Sequence, residues 1–136
     1  MIIFFKYILL TILILISNFS LAETLSGYFK TETSETGGYL IVEMGLCENN
    51  KKLTCGKIVE AEWDDNGSKI TDYEHLNKLI VWDMKNSGQG KYKKGKIWEP
   101  SKDKVYSSKM ELKGSSLDVS GCILVLCRAQ TWLKIN

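Results

Sequence analysis

The sequence predicts an all-β protein, an antiparallel up-and-down barrel of about eight strands behind an N-terminal signal peptide. Three observations carry that prediction. Apolar and polar residues alternate with period two in one segment after another, which is the pattern of half-buried strands. Clusters of Gly, Asn, Asp and Ser separate those segments at short intervals, as in all-β sandwiches and barrels. After the first twenty or so residues, no segment keeps the wide apolar stripe of a helix.

The N-terminus reads as an export signal. Lys6 is the single charge before the apolar stretch Tyr7 to Ile16, and Ser20-Leu21-Ala22 is a small-x-small cleavage site. Residues 1–22 are thus expected to be removed, leaving 23–136 as one domain in the periplasm or outside the cell. A retained anchor is the alternative, although a bilayer span needs roughly 20 apolar residues.

The strands follow in order. Gly27 to Glu32 opens the sheet, and Gly37-Gly38 turns the chain into a run in which Leu40, Val42 and Met44 alternate with Tyr39, Ile41 and Glu43. From Leu53 to Trp63, Val59, Ala61 and Trp63 are expected on one face, against Glu60 and Glu62. Asp64-Asp65-Asn66-Gly67-Ser68 is turn chemistry, and Ile70 to Asn77 reads as a loop or a single helical turn. Leu79 to Met84 and Tyr92 to Trp98 are the next strands, divided by Asn86-Ser87-Gly88-Gln89-Gly90. From Val105 onward, Tyr106, Ser108, Met110 and Leu112 share a face. Lys113-Gly114-Ser115-Ser116 then reverses the chain into Leu117 and Val119, and a last strand runs from Arg128 to about Ile135.

Four cysteines in an exported chain imply disulfides, and four allow three pairings. Sequence proximity favours Cys47 with Cys55 and Cys122 with Cys127. Neither spacing is the usual C-x₂-C of a zinc site, so no metal is expected. The formal net charge is only +2. No basic stripe interleaved with aromatics suggests nucleic acid. Lys91, Lys93, Lys94 and Lys96 form the densest basic cluster, which a solvated strand face explains without an anionic partner.

A stretch near the C-terminus carries a resemblance. Gly95-Lys96-Ile97-Trp98-Glu99-Pro100, then Tyr106, Gly121-Cys122 and Cys127-Arg128-Ala129-Gln130-Thr131-Trp132 resemble the closing pattern of the small secreted bacterial proteins of domain of unknown function 2147. That family has no assigned activity, so the resemblance implies an architecture, not a reaction. Gly27-Tyr28-Phe29 is similar to the G-x-W of lipocalin-like (calycin-like) barrels, with Phe29 in place of tryptophan. Arg128 and Lys134 stand near the chain end, where such barrels set a basic side chain over that aromatic. Two departures concern function. Glu99-Pro100-Ser101-Lys102-Asp103-Lys104-Val105-Tyr106 lacks the family's turn glycine, and the middle loop at Thr71 to His75 lacks its Asn-Pro and arginine.

Catalytic chemistry finds little support in these residues. His75 is the single histidine, read as a solvent-exposed loop residue, and no G-x-S-x-G elbow is present. Asp83 and Glu99, each beside a tryptophan, could form a glycosidase carboxylate pair, although alternate strand residues of a filled barrel normally face water. By parity Arg128, Gln130 and Trp132 share one face of the last strand. If that face points inward, it supplies a polar anchor to an otherwise apolar site. With Tyr106 and Trp98, these are the candidate ligand contacts.

The expected function is therefore non-enzymatic binding of a small apolar or amphipathic ligand, with no cofactor. The alternative is an envelope interaction or structural module with a filled barrel, presenting Trp63, Trp82, Trp98 or Trp132 to a partner. One feature belongs to neither reading. Ile123-Leu124-Val125-Leu126 is too apolar for a hairpin tip. The expectation is a plug folded across the barrel end, the other options being a ligand entrance or a membrane contact.

Overall fold

The computed structural model describes residues 24–136; the expected signal segment, residues 1–22, lies outside them. Period-two patterning produces eight strands: β1 (Gly27–Lys30), β2 (Gly38–Leu46), β3 (Thr54–Trp63), β4 (Leu79–Gly88), β5 (Lys91–Glu99), β6 (Lys104–Lys113), β7 (Ser116–Ile123) and β8 (Leu126–Lys134). Each pairs antiparallel with its chain neighbours, and β8 returns to β1, closing the barrel. Closure at the terminal end removes most of the free sheet edge that would otherwise template association. One end of the barrel carries the loops 31–37, 64–78, 100–103 and 124–125 and is called the loop end here. The other, the terminal end, carries both chain termini and the turns 47–53, 89–90 and 114–115.

The interior is filled from the terminal end upward. Phe29, Val42, Ile58, Val81, Met84, Leu117 and Val119 are fully buried, and Trp132 and Met44 nearly so. Phe29 sits on the barrel floor, and the residue directly across from it is Lys134. Arg128 lies toward the opposite end of the same strand. Two glycines admit methionines into the interior. A Cβ on Gly56 would stand 2.6 Å from Met44 Sδ, 2.8 Å from Val81 and 2.9 Å from Val42, and one on Gly95 would collide with Met84 Sδ. The missing side chains leave volume that flexible thioethers occupy, as methionine does readily in irregular cores.

One strand departs from the alternation read in the sequence. Ile41 pairs with Glu60 and Val42 with Ile58, so Val59 is an extra residue on β3, a bulge. A bulge inverts the parity beyond it. Gly56 and Ile58 point inward before it and Ala61 after it, so Val59 leaves the face expected for it, while Trp63, on Ala61's face but at the very end of β3, is 42% exposed. The 64–78 loop contains turns and no helix, and it continues the sheet beside the upper half of β3: Asn77 N–H donates to Ile58 O and Ile70 N–H to Ala61 O. β4 also runs on to Gly88, past the break expected after Met84.

Both expected disulfides form. Cys47–Cys55 has a Cα separation of 4.9 Å and staples β2 to β3 at the terminal end. Cys122–Cys127 joins directly opposite residues of β7 and β8, with Cα atoms 4.1 Å apart. The hairpin tip beyond it does not fold back as a plug. Leu124 is 95% and Val125 93% exposed. With only two residues, 124 and 125, between paired Ile123 and Leu126, the turn is too short to reach back across the barrel.

Candidate functional site

Burial along the inner face of β8 changes from one end to the other. Trp132, Gln130 and Arg128 pair with Leu117 and Val119, whose side chains line the interior, and with Gly121 on the same face of β7, so all three residues of β8 face inward. Trp132 is 1% exposed, yet Gln130 and Arg128 are open to solvent. The cause is the short first strand. β1 pairs with β8 only at Phe29 and Lys30, so the upper half of β8 has no strand on its β1 side and the barrel opens there. Trp132 Nε1 donates to Gln130 Oε1 at 3.0 Å, which satisfies the buried indole and fixes the amide above it. Among the described residues, no carboxylate lies within ion-pair distance of Arg128.

Tyr106 joins this face. It pairs with inward-facing Ile97 on β5, and its ring is half-buried near Gly121, whose missing side chain widens the opening. At the open loop end, Gln130, Arg128 and Tyr106 thus stand together above Trp132 and Val119, which are themselves closed to solvent. Trp98 is not part of it. Trp98 follows inward-facing Ile97 and so faces the other way, where the 64–78 loop packs on it.

That packing was not legible in the sequence. His75 is not a free loop residue: its ring meets Trp98 edge-to-face at 4.9 Å and Tyr73 at 5.3 Å. Lys78 Nζ lies 3.0 Å from His75 Nδ1 and 5.8 Å from the centre of the Trp98 ring. An ammonium only donates, so Nδ1 accepts and the ring proton sits on Nε2, directed at Glu74 Oε1 3.3 Å away. Trp98 Nε1 donates to Asp103 Oδ1 at 2.9 Å. Burial, then the Glu74 charge, raises the Tyr73 phenol above its ordinary pKa. Both imidazole nitrogens and the indole N–H of the stack have partners, which marks it as a device for anchoring the loop.

The carboxylates Asp83 and Glu99 are not a pair. Trp82 stands opposite Lys96, which places Asp83 and Glu99 four positions apart along neighbouring strands, roughly 13 Å at the usual rise per residue. Glycosidase carboxylates lie about 5–9.5 Å apart. Glu99 is engaged by Lys102 at 3.4 Å. Among the described residues, no group of His, Cys, Asp and Glu is arranged to hold a metal ion.

Two concave surfaces lie away from these residues. One, of about 310 Å³, is at the terminal end between Leu25, Phe29, Leu112 and Lys134. The other, of about 400 Å³, is a groove on the outer wall between Lys93, Lys94, Lys96, Ser107, Lys109 and Cys122.

Residues 27–134 match the profile of a family described as uncharacterized protein conserved in bacteria (DUF2147). Among solved structures, protein HP1028 from the human pathogen Helicobacter pylori, described as belonging to the lipocalin family, is similar. The TM-score is 0.63 at 17% sequence identity over 85% of each chain, a likeness of fold alone. No curated protein matches the chain.

Proposed function

Since the chain belongs to the DUF2147 family of bacterial proteins and its barrel is lipocalin-like, we propose that it is an exported, non-enzymatic binding protein that takes a small amphipathic ligand at the open loop end. One observation carries this reading: the inner face of β8 passes from a buried indole at Trp132 to solvent-open Gln130 and Arg128. A guanidinium without a carboxylate partner, set above an apolar floor, suits a ligand with a carboxylate or phosphate head and a short apolar body. The methionine-filled interior favours a ligand held at the open loop end over one swallowed by the barrel. Two disulfides accord with an oxidising compartment.

Native mass spectrometry of the purified protein, with organic extraction of what it carries, tests the proposal. A medium-chain fatty acid added to extracted protein is the defined probe. Binding that falls at least tenfold in Arg128→Ala, with the fold unchanged by circular dichroism, is the expected result. No retained molecule and no fatty-acid binding, or binding that ignores Arg128→Ala, would refute it. The filled interior would then favour the second reading, an envelope interaction module.

A further inference from the structure

The hairpin tip and the lysine groove are parts of one surface. Lys96 pairs with Ser107, Ser107 with Cys122, and Cys122 with Cys127, so one row runs across the outer wall from the groove to the base of the tip. Lys109, two positions below Ser107 on the same outward face, and Lys93 and Lys94 complete the groove. Among the described residues, none of these four lysines has a carboxylate within ion-pair distance. Beyond the disulfide stand Ile123, Leu124, Val125 and Leu126, exposed by 63%, 95%, 93% and 78%. Val105, at the start of β6 on the same end, is 54% exposed.

We propose that this surface docks on an anionic lipid bilayer, the tip entering the interface and the lysine groove meeting the headgroups. At the strand rise of about 3.3 Å, the tip projects roughly 7 Å beyond the Lys96–Cys122 row. Interfacial apolar elements sink about 5–10 Å into the boundary between headgroups and acyl chains. Tip and lysines therefore reach the two layers of that boundary together. Water is a poor environment for four consecutive apolar side chains, and the disulfide holds them in a compact wedge. At the turn between β5 and β6 on this end, Glu99 is paired with Lys102 and Asp103 accepts from Trp98, which lessens the repulsion of lipid phosphates by these two carboxylates. A second copy would cover the tip as well, but a two-fold contact would turn the two lysine grooves toward each other. The inference is independent of whether Arg128 and Gln130 hold a ligand.

Flotation of the mature protein with vesicles tests it, comparing phosphatidylcholine alone with an equal mixture of phosphatidylcholine and phosphatidylglycerol at low salt. The wild type is expected to float with the mixture and to remain behind with phosphatidylcholine. Lys96→Glu with Lys109→Glu should weaken partitioning by more than about tenfold, since each basic residue near an anionic surface contributes roughly fivefold. Leu124→Ser with Val125→Ser should weaken it on the order of a hundredfold, from the apolar area withheld. These side chains are exposed, so the substitutions leave the fold intact. Val125→Trp supplies a second readout, with emission shifting to the blue on mixed vesicles. Failure of the wild type to float with the mixture would overturn the proposal, as would equal flotation with both vesicle types or an unaffected tip variant. A dimer that forms with rising concentration and is abolished by the tip substitutions, without flotation, would assign the tip to self-association instead.

Discussion

Glu32 Oε1 accepts the backbone N–H of Thr131 at 2.9 Å, across 99 positions of sequence. This contact extends the barrel seam beyond the point where backbone pairing stops. Below it, Lys30 pairs with Leu133, Ile135 N–H donates to Tyr28 O, and Tyr28 N–H donates to Asn136 O. Above it, β8 has only its β7 neighbour. A side-chain carboxylate thus stands in for a missing strand residue.

Removing that acceptor should open the seam. Glu32→Ala is expected to cost about 1 kcal/mol, since a hydrogen bond to a charged acceptor is worth more than a neutral one but this one is exposed. Glu32→Gln keeps an oxygen in place and should cost less than half as much. Urea denaturation gives the stabilities, and amide exchange at Thr131 should accelerate in the alanine variant before that of Val119. Equal exchange at Thr131 in both variants and wild type would show that the seam does not depend on the carboxylate.

Gly56 and Gly45 make a paired test of the interior. A methyl on Gly56 meets Met44, Val81 and Val42 within 3 Å, whereas one on Gly45 meets nothing within 4 Å. Gly56→Ala should destabilise by about 1–3 kcal/mol through overpacking. Gly45→Ala should be neutral or slightly stabilising, because it restricts the unfolded chain. If the two substitutions cost the same in urea titrations, the interior is looser than these contacts require.

What the sequence revealed, and what it hid, follows from the same physics. Strand number and order were legible because turn residues and alternation are local signals. The shared face of Arg128, Gln130 and Trp132 was legible by parity, since β8 has no bulge between them. Its direction was not, because a face of guanidinium, amide and indole fits either side of a wall until Leu117 and Val119 are placed across from it. Val59 shows the converse. Nothing in Ile58-Val59-Glu60 announces a bulge, so parity counted back through it from Ala61 puts Val59 on the inner face that Ile58 in fact occupies. The His75 stack was hidden because its partners, Trp98 and Lys78, meet only through loop geometry. Lys109 likewise joins Lys93, Lys94 and Lys96 only across strands.

Asp118 gives the outer wall a pH dependence. Lys113 Nζ lies 3.0 Å from its carboxylate and Thr131 Oγ1 donates to it at 3.1 Å. These two hydrogen bonds, the lysine's first, hold the Asp118 pKa below the ordinary aspartate value. A depressed folded-state pKa contributes stability that is present above the unfolded value of about 4 and is lost as pH falls through the folded one. The Lys113 pKa is raised, chiefly by its hydrogen bond to Asp118, so that contribution is present below about pH 10.4 and fades as pH rises through the folded value. Wild type should therefore exceed Asp118→Asn in stability between about pH 5 and 9, and the difference should vanish in acid. Urea midpoints of both proteins across pH check this, and a constant difference down to pH 2 would contradict the linkage.

The tip of the β7–β8 hairpin combines strain with a staple. Leu124 occupies the first position of the two-residue turn at φ 55°. Hairpin turns that require positive φ there strongly favour glycine, because a Cβ in the left-handed region costs about 1–2 kcal/mol. Closing so short a loop with Cys122–Cys127 offsets that cost, stabilising by about 2 kcal/mol on the chain-entropy estimate. Two outcomes are expected. Leu124→Gly should stabilise the oxidised protein by about 1 kcal/mol while removing part of the apolar tip. Reduction should increase amide exchange within residues 121–128 before the rest of the barrel, and by less in Leu124→Gly, where the turn no longer relies on the disulfide. Exchange with and without reductant, with reduction verified by mass, decides the matter. Unchanged protection of 121–128 after reduction would mean that cross-strand pairing alone holds the tip.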